Sequence, residues 1–380
     1  MFSYWEQQSF FEYDHIVVGA GIVGLSTAIE IKSRFPGASV LVLERGLLPT
    51  GASSRNAGFA CMGSATEIID DLQVMDEAAV CRLFESRKKG LERLRSRLGD
   101  QVIGYEASGS YELIGEKELF VMSELERLNE LLLPITGTPA FSVSDEQIGG
   151  FGFNAGKVRH MIRNNFEGSI NTGRMLRALT DLALRSGIEI KTGARVTSYE
   201  VSAQYVMVRV EDGFRQAELP LKSRTLTLCT NAFTRELMPE MDIRPGRGQV
   251  LITEPVEGLR FRGIFHFDHG YYYFREIDGR VLFGGGRNLA FEEEATTSFG
   301  LNERIQCDLE EKLRTMILPG TDFRIGQRWS GIMAFGPDKS PVVRAFNERL
   351  FGAFRMGGMG VALGSEVAMQ VADMIYEAHH

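Results

Sequence analysis

The stretch from Asp14 to Arg45 constrains this 380-residue chain more than any other. An apolar run, His15 to Val18, enters Gly19-Ala20-Gly21-Ile22-Val23-Gly24. A helical pattern continues to about Arg34, and a second apolar run, Ser39 to Leu43, ends on Glu44. Strand, glycine turn, helix and strand at this spacing form a βαβ unit. Gly19 makes the tight turn, Gly21 lets backbone approach a pyrophosphate, and Gly24 lets helix and strand pack closely. The phosphates then lie on the helix N-terminus, where unpaired N–H groups and the dipole favour negative charge. Glu44, twenty residues after Gly24 and just ahead of Arg45, stands where a carboxylate accepts the hydrogen bond of a ribose 2′-hydroxyl and repels a 2′-phosphate. A dinucleotide is expected here, and NADP is disfavoured.

Glycine is in excess, 42 residues against a usual ~7%, and it clusters in motifs, which favours backbone contact with a ligand. The net charge of −8 argues against nucleic acid as a partner, because phosphate binding draws on clustered Lys and Arg. No apolar run is long enough to cross a membrane, and the first ten residues lack the basic-then-apolar order of a signal peptide. A cytoplasmic protein without a transmembrane segment is expected. Cys61, Cys81, Cys229 and Cys307 have no CxxC spacing and read as reduced thiols. His266-Phe-Asp-His269 lacks a further ligand pair, so no metal site is expected. His379 and His380 read as the remnant of a purification tag.

Small residues, hydroxyls, one Arg and one Asn crowd the stretch Thr50-Gly-Ala-Ser53-Ser54-Arg55-Asn56-Ala57-Gly58. This predicts an irregular loop against a polar ring system, with a helix starting near Glu67. Helical spacing runs from Ile68 to about Leu98, a strand is predicted from Tyr105 to Ile114, and a second helical run from Glu116 stops at Pro134. A helix from Arg174 to Ser186, capped by Asn171 or Thr172, leads into strands at 188–191, 195–201, 205–210 and 225–229. The last runs into Thr230-Asn231-Ala232. Helix, strands and polar turn look like a return to the nucleotide sheet, so the domains are predicted to interleave. Residues 1–90, 155–235 and 325–380 form the dinucleotide domain, and 91–154 and 236–324 the substrate domain.

Gly270-Tyr271-Tyr272-Tyr273-Phe274-Arg275 and the turn Asp278-Gly279 signal a β-hairpin. Alternation puts Tyr271, Tyr273 and Arg275 on one face and Tyr272 and Phe274 on the other. Near the end, a strand at Leu350 to Phe354 leads to Gly357-Gly358-Met359-Gly360 and a helix from Val361 to Tyr376, a second helix start aimed at negative charge. Two such starts suit a ligand with two polar ends. FAD has a pyrophosphate and a pyrimidine edge that turns anionic on reduction; NAD has no second anion.

Together these residues resemble the D-amino-acid-oxidase-like superfamily of flavoenzymes, including glycine and sarcosine oxidases, D-amino-acid dehydrogenases and the gamma-glutamylputrescine oxidase branch. The resemblance runs from Asp14 to the last helix and rests on 19–24 with Glu44, 50–58, 228–232, 245–249, 329–332 and 357–360. The Ser54-to-Gly58 version is most similar to the gamma-glutamylputrescine oxidase branch. It implies an α/β fold: a glutathione-reductase-type, Rossmann-like FAD domain interleaved with a substrate domain on a large, mainly antiparallel sheet. It also implies hydride transfer from a carbon bearing nitrogen to flavin N5, giving an imine that water hydrolyses. Val196 would lie by the adenine, and Gly358 to Val361 would hold the pyrimidine edge, near Gly331.

Three departures from the pattern matter. Met333 stands where glycine-oxidase types carry an Arg for the substrate carboxylate, and Gly358 to Ala362 holds no basic residue. A buried carboxylate without a charged partner is costly, so an amine is favoured unless Arg275, Arg287 or Arg247 supplies the clamp. No Cys lies in Trp329 to Met333 and no His in Thr50 to Gly58, so the FAD is expected to be non-covalent. The oxygen-activating Lys of sarcosine oxidases would fall near Leu282, which leaves oxygen or another electron acceptor open.

The expectation is an FAD-dependent oxidoreductase acting on the C–N bond of a small amine or amino-acid derivative. Tyr271, Tyr273 and Arg275 are predicted on one wall of the pocket, with Trp329 and Met333 opposite. Its rivals are a D-amino-acid or glycine-type dehydrogenase using a non-oxygen acceptor, an NAD-linked dehydrogenase and a non-catalytic flavin-binding protein.

Overall fold

The computed structural model describes residues 2–379; Met1 and His380, half of the tag-like pair, lie outside it. The first of two eight-stranded sheets is built on Glu12–Val18, which pairs in parallel with Val40–Glu44 on one side and Ala217–Leu228 on the other. Glu189–Thr192 and Leu350–Phe354 extend it in parallel. Val206–Asp212 and Val196–Val201 add an antiparallel branch. Ile16, Val17, Leu41, Val42, Leu226 and Leu228 are fully buried, as strands covered on both faces must be. The helices Ile22–Arg34, Gly360–His379 and Glu77–Leu98 pack in sequence over one face.

The second sheet runs Ile325–Phe335, Arg244–Thr253, Arg280–Gly285, Tyr272–Ile277, Ile264–Phe267, Ser110–Ile114, His160–Asn164 and Phe141–Val143. It is antiparallel except where Ile264–Phe267 meets Ser110–Ile114. Phe265 stacks on Phe274 at 4.7 Å, with Phe153 and Phe261 edge-on to both. Offset and edge contacts of this kind let one face hold many rings in a small volume. The fold is therefore a Rossmann-like layer joined to a large mixed sheet, and their strands interleave along the chain. His160–Asn164 and Ile325–Phe335 pair within the second sheet, although both lie in spans assigned from sequence to the dinucleotide domain. Strand pairing, which sequence alternation does not encode, decides membership.

Local departures have plain causes. Ala52–Arg55 is one turn of helix inside the stretch read as irregular. The helix expected to stop at Pro134 runs Val121–Thr136; proline removes one N–H, and the carbonyl this leaves belongs to exposed Glu130. The strand expected from Tyr105 begins at Ser110. Among the described residues no helix is long and apolar enough to cross a membrane.

Candidate active site

A cleft with a volume of ≈ 670 Å³ is lined from both sheets, within the size range of small-molecule and cofactor sites. At one end lies the first glycine turn. Gly19 has φ +107°, and a Cβ on Gly24 would stand 1.8 Å from the Gly19 carbonyl oxygen, so this helix–strand contact admits no side chain. A Cβ on Gly21 would meet Ser53 Oγ at 2.7 Å; that hydroxyl accepts the Ile22 N–H at 2.9 Å. Glu44 is buried, its two oxygens accepting the N–H groups of Ala20 and Gly46 at 3.0 Å each. The carboxylate is thus aimed by backbone on both sides while still lining the cleft. Val23, Arg45 and Val196 line the same end, and Arg45 lies 3.6 Å over the Phe233 ring and pairs with Glu236.

The next wall is the 50–58 loop. Arg55 donates to the Thr50 and Ser330 carbonyls at 3.0 and 2.9 Å, and Asn56 Oδ1 accepts from Gly58 N–H and Thr172 Oγ–H. Ser53, Arg55, Asn56 and Ala57 line the cleft; Ser54, which donates to Pro49, and Gly58 do not. Thr230 and Asn231 line it too, and Asn231 Oδ1 accepts the N–H groups of Arg355 and Met356. Ala20, Gly24 and Ala232 lie outside the lining. Gly331, Gly357, Gly358, Met359, Gly360 and Val361 complete the far wall, where the last helix begins. Gly357 and Gly358 have φ of +56° and +85°, a backbone that glycine adopts without strain.

These features fit FAD. Two helix starts face the cleft, each behind glycines that present bare backbone, and a buried carboxylate lines it at the end of the second strand.

The remaining space holds Tyr271, Tyr273 and Met333. Burial pushes the Tyr273 phenol up to about 12, so it stays protonated and able to donate. Two residues predicted for this pocket are elsewhere. Arg275 shares the face of Tyr273 but is 6% exposed, and its Nη1 donates to the Gly58 and Ile170 carbonyls at 3.1 and 2.8 Å. It pins the loop from beneath and does not reach the cavity. Trp329 packs with Ala57, Val250 and Leu282, and its Nε1–H donates to the Arg55 carbonyl at 2.9 Å. It supports the loop rather than facing the opposite wall.

The structure singles out one of the three clamp candidates and adds residues to which sequence alone assigned no role here. Arg287 lines the cavity, its guanidinium 4.8 Å from the Phe291 ring and 4.1 Å from the Phe335 ring. The guanidinium makes no hydrogen bond or ion pair to any described residue, and burial lowers its pKa. Glu67, Asp70, His266, His269 and Lys339 also line the space. Lys339 pairs with buried Asp71 at 2.8 Å, and His269 Nδ1 meets Asp70 at 2.8 Å. Burial raises the Glu67 carboxyl, but Lys339, His266 and the Ser64 N–H outweigh it and hold the group below its usual range. These side chains come from three segments distant in sequence, so spacing along the chain could not assemble them. The one available signal was His266-Phe-Asp-His269, whose histidines bond different partners, Ser110 and Asp70.

Residues 14–374 match the family described as FAD dependent oxidoreductase (DAO). The chain is 24% identical to the Bifunctional protein ThiO/ThiG of Trichormus variabilis over 385 residues, covering 96% of this chain and 53% of that protein. It thus spans about half the length of that relative. Two solved structures share its fold. L-proline dehydrogenase from P. horikoshii superposes with a TM-score of 0.78 at 18% identity, covering 96% of this chain and 93% of the other. Glycine oxidase from Geobacillus kaustophilus gives 0.76 at 19% identity, covering 97% and 95%.

Proposed function

This chain belongs to the DAO family of FAD-dependent oxidoreductases, and on that premise we propose that it oxidises the C–N bond of a small amine bearing a carboxylate. Arg287 carries the proposal. Of the three guanidiniums that could replace the absent clamp at Met333, Arg275 is spent on two carbonyls and Arg247 on Glu294, with Nε–Oε2 at 2.7 Å and Nη2–Oε1 at 2.9 Å. Arg287 remains, held in the cavity by two rings that orient it without neutralising it. An unneutralised, half-buried guanidinium is a strong, planar site for a carboxylate.

FAD, when bound, would supply the two-electron acceptor for a hydride from the substrate carbon. Gly19, Gly21 and Glu44 would hold its pyrophosphate and ribose, and Gly357 to Val361 its pyrimidine edge. Arg287 fixes the carboxylate, Tyr273 offers its hydroxyl to the substrate, and Met333 and Phe335 supply an apolar wall. Desolvation there favours the neutral amine, whose lone pair assists departure of the hydride. The resulting imine is hydrolysed by water. A non-covalent flavin is supported by the cysteines that line the cleft: burial pushes Cys61 well above the usual thiol range and Cys229 up to about 12. Neither thiol is a ready nucleophile.

Glycine, N-methylglycine, L-proline and their decarboxylated counterparts, mixed anaerobically with the purified yellow protein, test the proposal. Bleaching of the flavin by a carboxylate-bearing amine supports it; bleaching by none of them removes it.

Leu282 favours a dehydrogenase. It is 6% exposed beneath the 55–58 loop, near where the oxygen-activating Lys would fall in the resemblance to sarcosine oxidases. Reduced enzyme should then pass electrons to a quinone or dye faster than to oxygen, and faster reoxidation by oxygen removes this reading.

A further inference from the structure

Behind the cavity wall lies a line of three polar side chains that the roles above leave unused. His266 lines the cavity, with its ring edge-on to Phe59 at 5.5 Å. Its Nε2 is 2.8 Å from Ser110 Oγ. Nδ1 bonds no described residue. Ser110 lies beside the carboxyl of Glu167, whose Oε1 accepts the Met62 and Gly63 N–H groups. Oε2 of Glu167 is buried, makes no hydrogen bond, and stands 4.0 Å from His266 Nε2. His266, Ser110 and Glu167 are 5%, 2% and 1% exposed. An orphaned carboxylate oxygen this deep is costly unless it exchanges a proton or ligand.

We propose that His266 takes the proton a substrate ammonium must lose, and that Ser110 passes the resulting charge to Glu167. This rests on the amine oxidation proposed above. There, the substrate ammonium must give up one proton from nitrogen and one hydride from the adjoining carbon; what remains is the iminium, with a C=N double bond and the same single positive charge. A bound flavin would supply the acceptor for the hydride; the proton goes to Nδ1 of a neutral imidazole. As the N–H bond breaks, Nε2–H is given to Ser110 Oγ, and the Ser110 hydroxyl proton moves to Glu167 Oε2, leaving the histidine neutral and Glu167 protonated.

The charges around the line suit these states. Burial keeps the imidazole of His266 toward its neutral form, against the opposing pull of Glu67. Burial and Glu67 raise Glu167 to about 7, against its hydrogen bonds. Cys61, Tyr105 and Arg87 are the other titratable or charged groups nearby, with Glu112 and Lys339 facing Glu67.

Two measurements on flavin-loaded enzyme decide the matter. In infrared difference spectra, anaerobic reduction by glycine, N-methylglycine or L-proline should bring up a protonated-carboxyl band that Glu167→Gln removes, because the relay leaves the proton on Glu167. In anaerobic bleaching by the same amines, His266→Gln should be ~100-fold slower at neutral pH. That deficit should close above the amine's own pKa, where the substrate arrives already neutral. A missing band, or a deficit equal at every pH, overturns the relay. If no amine bleaches the wild type, the amine-oxidation reading fails and the relay that rests on it fails with it; bleaching without the band sinks the relay alone.

Discussion

The guanidinium of Arg287 stands 4.1 Å from the centre of the Phe335 ring, inside the cavity and without an ion pair to any described carboxylate. This one contact turns a fold shared by many flavoenzymes into a specific expectation about substrate.

Arg287→Ala should lower kcat/KM for a carboxylate-bearing amine by ~100-fold or more, the loss of a charge-assisted, bidentate contact worth about 3 kcal/mol. Arg287→Lys should recover part of this, since an ammonium keeps the charge but not the planar fork. Steady-state kinetics check the ratio. The visible flavin spectrum should be unchanged in both variants.

Arg247 and Arg275 should behave in the opposite way. Arg247→Ala strands Glu294, which is 0% exposed, and should destabilise the protein by about 3–5 kcal/mol. Arg275→Met leaves the Ile170 carbonyl without its donor, while the Gly58 carbonyl keeps the Ile170 N–H, and should cost about 1–3 kcal/mol. Urea unfolding measures both. The folded fraction should keep its specificity for the carboxylate.

Glu44→Ala should weaken FAD binding ~10-fold to 100-fold, because the ribose loses its acceptor and the Ala20 N–H loses its bond. Titration of apoprotein with FAD gives the constant directly. An unchanged affinity would show that the ribose lies elsewhere.

Glu112 gives a pH signature. Burial raises its carboxyl to about 7, opposed by its bonds from Thr66, against ~4.3 in an unfolded chain. The folded state therefore holds a proton that the unfolded state has lost between these values. The contribution to stability is fully present below about pH 4.3 and is lost as pH rises through about 7. In Glu112→Gln this dependence disappears, so wild type should lose roughly 2 kcal/mol relative to the variant between pH 5 and pH 8. Paired urea titrations at the two pH values check it.

Where each element was legible depends on how local its cause is. Gly19 to Gly24 and Glu44 were readable as a unit because turn, helix start and the carboxylate that ends the second strand lie within one βαβ unit. The alternation of Tyr272 and Phe274 against Tyr273 and Arg275 was readable for the same reason: two-residue periodicity needs no tertiary knowledge. What alternation cannot say is how deep along a face a side chain lies. Arg275 therefore meets the underside of the Gly58 loop, and Trp329 meets the Arg55 carbonyl rather than the cavity. From sequence, Arg287 is only one of three candidates for the clamp. The choice needs the partners of Arg247 and Arg275, which lie 47 residues away for Glu294 and 217 for Gly58. Glu67, His266 and Lys339 converge from three distant segments and carry no spacing signal at all.

The most direct measurement is the anaerobic visible spectrum of the purified protein titrated with matched amines, with and without a carboxylate. The protein should be a yellow flavoprotein, its flavin released to the supernatant by acid, whose long-wavelength band is bleached by a carboxylate-bearing amine and far more slowly by its decarboxylated twin. Bleaching by the simple amine alone, or by neither, would contradict this expectation.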